Sequence, residues 1–350
     1  MADTTMAPVW GAARLFEPVE SEPEISLETV PCPNCDCRQF HSILEGSDPL
    51  TGIGGTFSLV RCAACDLVLT NPRPTPESLG WFYPEDYSPY QTENAHARRW
   101  QWLEHLALRS RFGYPPQPAG PLANLLSQLA MWKFHSRAQR HEWIPFRAPG
   151  RLLDVGCGAG AFLERMQSFG WTVTGLDYAA DVARRVEQRT GIKVHAGTLP
   201  HADLAPQSFD AVTMWHVLEH VPHPRQLVEA AAKLLRPGGL LVIEVPNIES
   251  RTFAEFREHW FGLELPRHFQ HFSPKTLSAT LPSDLLRIVE VQQIGMRTWI
   301  KRSAQRAVAA GRNQYKDWLT RGKAFWVDQA TQSESANQAD GLRIIAERRS

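Results

Sequence analysis

From Gly150 onward the chain alternates short apolar runs with amphipathic stretches, and nothing else in it restricts the fold so tightly. The strand-like runs are RLLDV, WTVTGLD, IKVHAG, FDAVTMW and GLLVIEV. Between them lie GAFLERMQSFG, AADVARRVEQRTG and PRQLVEAAAKLLRPGG, whose apolar residues recur at helical spacing. Strands this apolar bury both faces, so their alternation with helices predicts a parallel sheet covered on each side. Pro224 suits the first turn of the third helix, and Pro237-Gly238-Gly239 predicts its end. After Val245 the alternation lapses. LLRIVEVQQIG and GLRIIAERR then supply two further strands, separated by a long basic helical insert near 297–335.

Within this region LLDVGCGAGAF (152–162) runs from a buried strand through three glycines into a helix. Such a loop lets a ligand approach the backbone closely at the helix N-terminus. Gly156, Gly158 and Ala161 satisfy the dinucleotide fingerprint, and Asp177 follows at the spacing of a ribose-binding acid, so NAD is one candidate ligand. Asp154 favours another. A carboxylate at that strand end meets a pyrophosphate badly but suits the ammonium and sulfonium charges of S-adenosylmethionine.

Here the sequence resembles the class I S-adenosylmethionine-dependent methyltransferases, over roughly residues 148–295. It is most similar to the branch holding ubiquinone-type O-methyltransferases and bacterial sugar and secondary-metabolite methyltransferases. LDVGCGAG is similar to the family's first motif and VTGLD to its second, while SFDAVTMWHVLEHVPHP and LLRPGGLLVIEVPN resemble the segments around the fourth and fifth strands. The resemblance implies a Rossmann-like α/β fold with a seven-stranded sheet of order 3-2-1-4-5-7-6 and an antiparallel seventh strand. It places cofactor contacts on Asp154, Gly156, Gly158, Gly160 and Asp177, with the adenine pocket near Thr198 and Leu199.

Upstream, Cys32, Cys35, Cys62 and Cys65 form C-x2-C-x26-C-x2-C, a spacing suited to a closed structural Zn²⁺ site of four thiolates. Cys37 stands outside the two pairs. A site without an open position implies a role in folding, not catalysis. The segment from CPNC to EDY also resembles the zinc-binding module of sugar C-methyltransferases, which makes Tyr83, Tyr87 and Tyr90 candidates for lining the substrate pocket. The organisation expected is a disordered tail over 1–30, a zinc-ribbon-like module over 31–90, a helical lead-in over 91–147 and the cofactor-binding domain over 148–350.

At 350 residues and 43% hydrophobic content the chain can bury a sizeable core. Its 37 Lys and Arg balance 37 Asp and Glu, which disfavours non-specific nucleic-acid binding. An RNA methyltransferase that uses the zinc module as a clamp is therefore the alternative reading, behind a methyltransferase for a small-molecule, sugar-nucleotide or glycan acceptor. With no apolar run of spanning length and no export signal, a cytoplasmic location is expected. The basic, aromatic-bearing stretch 297–323 predicts either a solvated helical face or contact with an anionic membrane or a phosphorylated acceptor. Composition says nothing about oligomeric state.

Methyl transfer to a hydroxyl or carbon acid needs an aligned acceptor and a base of near-neutral pKa, which directs attention to histidines at the carboxyl ends of strands. Two clusters qualify: His216 and His220 in HVLEH, and His268 with His271 in LPRHFQHFSPKTL. The second resembles the Tyr-x-Glu-His run that carries the catalytic histidine of sugar C-methyltransferases, with His268 on that histidine and Leu265 and Arg267 in place of the tyrosine and glutamate. These replacements imply a retained base with a different acceptor; O-methylation of a small molecule or sugar is the first expectation, with C-methylation of a nucleotide-linked sugar close behind. HVLEH also spells H-x-x-E-H, the pattern of an inverted zinc peptidase. A strand precedes it and Pro222 and Pro224 follow closely, so its two histidines are expected at a strand end and in a loop, without metal.

Overall fold

The computed structural model describes residues 24–84, 112–114, 120, 122, 125, 126, 128, 129 and 143–350. The N-terminal strands are β1 (Leu27–Glu28), β2 (Phe40–Ser47), β3 (Thr56–Cys62), β4 (Val68–Thr70) and β5 (Arg73–Pro74), followed by the short helix α1 (Pro76–Leu79). Attachment begins earlier than the expected tail allows. β1 pairs with β5, Ser26 N–H donates to Ser78 Oγ at 2.9 Å, and Val30 N–H donates to Asn71 Oδ1 at 3.1 Å. The predicted lead-in lies largely outside the described residues, as do Tyr87 and Tyr90. Of it, Tyr114 is buried against Trp143, Phe169 and Trp171 on the flank of the main sheet.

That sheet contains β6 (Arg151–Val155), β7 (Thr172–Asp177), β8 (Val194–Ala196), β9 (Phe209–Trp215), β10 (Leu235–Pro246), β12 (Leu286–Ile294) and β13 (Gly341–Arg348). Its order is β12-β13-β10-β9-β6-β7-β8, with β13 antiparallel to both neighbours. Counted within the sheet this is 3-2-1-4-5-7-6, as expected. Helices α2 (Ala161–Ser168), α3 (Ala180–Thr190) and α4 (Pro224–Leu234) connect the parallel strands. Helix α4 stops before Pro237 because Leu235 already pairs with Phe209; a register shift then carries Pro237-Gly238-Gly239 before pairing resumes at Leu240.

The remaining strand, β11 (Gln270–His271), does not join the main sheet. It completes a second sheet of order β11-β4-β3-β2, so the cysteine-bounded module and the segment after β10 share one set of backbone hydrogen bonds. Their apolar side chains also form one core: Cys32, Cys62, Leu67 and Leu69 cluster with Leu153, Met214, Phe272 and Leu277. A division near residue 90 describes the chain's order but not its packing.

After β10 come α5 (Arg251–Phe256) and α6 (Pro274–Thr280), and the basic insert forms α7 (Arg297–Ala309), α8 (Lys316–Thr320) and α9 (Lys323–Ser335). Ile300, Ala304, Ala307, Tyr315 and Trp326 are buried with Phe57, Leu59 and Trp260. The insert's aromatic residues therefore face the protein: Trp318 meets Phe256 edge-on, and Trp299 packs 5.4 Å from the His216 ring.

Candidate active site

The glycine loop is shaped by what crowds it. Gly156, Gly158 and Gly160 have φ of 72°, 49° and 81°, in the left-handed region that costs β-carbon-bearing residues free energy. A β-carbon on Gly156 would sit 2.4 Å from Val217 Cγ2. The loop is held from the neighbouring strand: Gly158 N–H donates to Asp177 Oδ2 at 2.8 Å, and Ala179 N–H donates to Asp177 Oδ1 at 3.0 Å. Burial raises the Asp177 carboxyl pKa, and these two backbone donors oppose the rise. Asp154 is buried and accepts the Thr213 hydroxyl at 2.6 Å. Thr198 and Leu199 follow β8, so all seven expected cofactor residues gather at the carboxyl edge of β6, β7 and β8.

HVLEH follows β9 as a break and not as a helix. His216 has φ 55°, Leu218–His220 form a single 3₁₀ turn, and α4 starts at Pro224. The two histidines have different surroundings. His216 Nδ1 lies 3.3 Å from Glu219 Oε1 and its Nε2 3.5 Å from Glu244 Oε1, while Glu244 is paired with Arg343 at 2.6 Å. Burial alone would lower the imidazole pKa, but the two carboxylates push it up to about 10. That shift favours the protonated imidazole, which has no lone pair to accept a proton, and so weighs against His216 as the base.

His220 and His268 remain neutral. His268 is buried, and desolvation, with His220 and His271 nearby, pushes its pKa well below the ordinary histidine value. Its Nδ1 lies 3.0 Å from the carbonyl oxygen of Gly262. A carbonyl only accepts, so the ring proton sits on Nδ1 and the lone pair on Nε2. The His220 ring meets the His268 ring edge-on at 4.5 Å, and His220 Nδ1 lies 3.1 Å from Arg267 O and 3.0 Å from Tyr83 Oη. Donor atoms of Glu219, His220 and His268 converge to within 4.8 Å of one another, a set that could share an acceptor proton or a divalent ion.

What positions this cluster was not anticipated. Arg267 is buried and bonds both oxygens of buried Asp48 at 2.9 Å, and also donates to Phe82 O at 3.0 Å. Residue types alone could not pair them, since they lie 219 positions apart. Tyr83, expected only as pocket lining, reaches the site through its hydroxyl, 3.0 Å from His220 Nδ1.

The histidine shifts set a pH dependence of stability. His271, buried with its pKa lowered to about 3, contributes stability that is present above the ordinary value near 6.5 and is lost as pH falls toward 3. His216 acts in the opposite sense: its contribution is complete below about 6.5 and is lost as pH rises through about 10. Urea midpoints measured across pH 4–10 should therefore peak near neutrality; a midpoint still rising at pH 10 would contradict the His216 assignment.

A methyltransferase-domain family profile matches residues 131–282. A ubiquinone biosynthesis O-methyltransferase from Xanthomonas euvesicatoria is 36% identical over 182 residues, covering 47% of this chain and 75% of the relative. The chain is a class I S-adenosylmethionine-dependent methyltransferase. A second relative of that name, from Xanthomonas campestris, is 37% identical over 171 residues, 44% of this methyltransferase and 70% of its own length. Among solved structures, an S-adenosylmethionine-dependent methyltransferase from Mesorhizobium loti aligns at TM-score 0.40 and 18% identity, over 62% of this chain and 97% of its own.

In this methyltransferase the four expected thiols also meet. Cys32 and Cys65 sulfurs lie 3.4 Å apart and those of Cys35 and Cys62 3.5 Å, too long for disulfides and close to the ~3.8 Å edge of a tetrahedron with Zn–S bonds of about 2.3 Å. Each knuckle turns back through an aspartate at positive φ, Asp36 at 56° and Asp66 at 66°. The repeated C-x-x-C-D spelling carried that signal in the sequence. Cys37 points away, to Gln39 O at 3.6 Å. Four thiolates in this arrangement fit Zn²⁺. Among the described residues no helix is long and apolar enough to cross a membrane.

Proposed function

We propose that this methyltransferase O-methylates a small-molecule acceptor, with His268 Nε2 taking the acceptor's proton. The observation that carries the reading is the Gly262 carbonyl, which fixes the tautomer a general base requires in a buried position beside His220. The relatives' names support oxygen as the methylated atom. So does the spending of the two family-divergent positions on structure: Arg267 is committed to Asp48, and Leu265 is buried against Gly46.

S-adenosylmethionine supplies a methyl group activated on a sulfonium. Asp154, the three loop glycines and Asp177 would hold it, with Thr198 and Leu199 beside the adenine. His220 would orient the acceptor oxygen, and Tyr83 would close the site from the module side. Zinc at the four cysteines would serve folding, holding β3 and β4 where β11 can pair with them.

His268→Ala is expected to lower kcat about 10²–10⁴-fold, the usual contribution of a positioned acid or base. Binding of S-adenosylhomocysteine should stay within about twofold. Transfer of labelled methyl from S-adenosylmethionine to a panel of phenolic and sugar acceptors reads the first quantity, and calorimetry the second. Turnover equal to wild type would remove His268 from the chemistry.

A further inference from the structure

Helix α7 carries Trp299, Arg302 and Arg306 at spacings of three and four, which places them along one face. All three reach Phe261. The Trp299 ring lies 5.8 Å from it, and the guanidinium carbons of Arg302 and Arg306 stand 4.9 and 4.4 Å from its centroid. Phe261 precedes Gly262, whose carbonyl orients His268, and Trp299 lies against His216. A row of aromatic surface thus leads from the histidines to two cations.

Those cations have no direct ion-pair partner among the described residues. Among the described residues neither has a carboxylate within 4.0 Å, Arg302 makes no hydrogen bond, and Arg306 only reaches the carbonyls of Trp260 and Phe261 at 3.4 Å each. The nearest acids are engaged elsewhere: Asp48 and Glu264 bond Arg267, and Glu258 pairs with Arg312. Burial pushes Arg306 down to about 10; Arg267 and Arg302 add to that push, and Glu264 and Asp48 oppose it. Two adjacent guanidiniums without a paired carboxylate repel each other, and an anion between them would relieve that cost.

We infer that Arg302 and Arg306 clamp a phosphoryl group carried by the acceptor, with Trp299 and Phe261 as a platform for the ring system to which it is attached. Planar guanidinium forks match phosphate oxygens two at a time, and stacking on Phe261 holds the forks in place before the ligand arrives. A membrane surface fits less well, because Trp299 and Tyr315 are turned into the protein and cannot insert between lipids. The clamp rests on the proposed function only for the direction in which the acceptor points, toward His268.

Calorimetric titration of the full chain with inorganic pyrophosphate at low salt tests this. One saturable site is expected, weakened about tenfold in Arg302→Ala and to below detection in Arg302→Ala/Arg306→Gln. Lys301→Ala, a neighbouring exposed cation with no contact to Phe261, should bind like wild type. Arg302 is exposed, so its single variant remains informative even where the double variant folds poorly. Equal pyrophosphate affinity in wild type and Arg302→Ala would overturn the clamp. So would wild-type binding to phosphatidylglycerol vesicles without binding to pyrophosphate, which would mark a lipid-facing surface. Pyrophosphate binding by His268→Ala separates the two readings: retained affinity alongside unimpaired turnover would sink the base and leave the clamp standing.

Discussion

Gly156→Ala is expected to abolish measurable S-adenosylhomocysteine binding while the protein stays folded. Two costs add at this position. The backbone is at φ 72°, where a residue with a β-carbon pays about 1 kcal/mol or more, and the new methyl would lie 2.4 Å from Val217 Cγ2. Val217 belongs to the loop that carries His216 and His220, so neither side can yield without moving the other. Relief must come from the glycine loop itself, and the loop's N–H groups would leave the positions where a ligand meets them. A combined loss of about 3 kcal/mol corresponds to a factor of more than 100 in Kd. Calorimetry with S-adenosylhomocysteine checks it, with far-UV circular dichroism as the folding control. Affinity within threefold of wild type would show that the loop does not approach the cofactor.

The second large effect is on stability. Asp48→Asn should cost about 3–5 kcal/mol, because it leaves the Arg267 guanidinium buried with its bidentate partner neutralised. Asp48→Leu/Arg267→Met should recover much of that loss, since a buried pair replaced as a unit by apolar groups of similar volume is often neutral. Urea unfolding of the three proteins measures both numbers. A single variant as stable as wild type would mean that Glu264, 3.4 Å from Arg267 Nε, suffices as its counter-ion. Turnover of the double variant carries separate information. The Arg267 carbonyl accepts from His220, so a shift of this segment would change the reaction even where stability returns.

The main sheet was legible because its strands are apolar throughout and separated by helices with clean boundaries; even the antiparallel β13 followed from the family order. Cysteine spacing located the thiolate site for a similar reason, since each knuckle is local. What could not be read was anything built from distant residues. The Asp48–Arg267 pair, the placement of β11 beside β4, and the inward turn of Trp299 depend on tertiary packing that leaves no periodic trace. His216 shows the limit most directly. Its place at the end of a strand made it a candidate base, but the second carboxylate, Glu244, arrives from another strand and raises the imidazole pKa.

The pairing of β4 with β11 also has a consequence for synthesis on the ribosome. Thr70 and His271, joined at 3.1 Å in the folded protein, are separated by 201 positions in the chain. At translation rates of about 5–20 residues per second, Val68–Thr70 must wait about 10–40 s for their partner strand. During that interval an apolar strand edge has no mate, a condition that invites association between nascent chains. Expression of the cysteine-bounded segment by itself would make the wait permanent, so a fragment ending near residue 90 should be recovered as aggregate and not as an independent module.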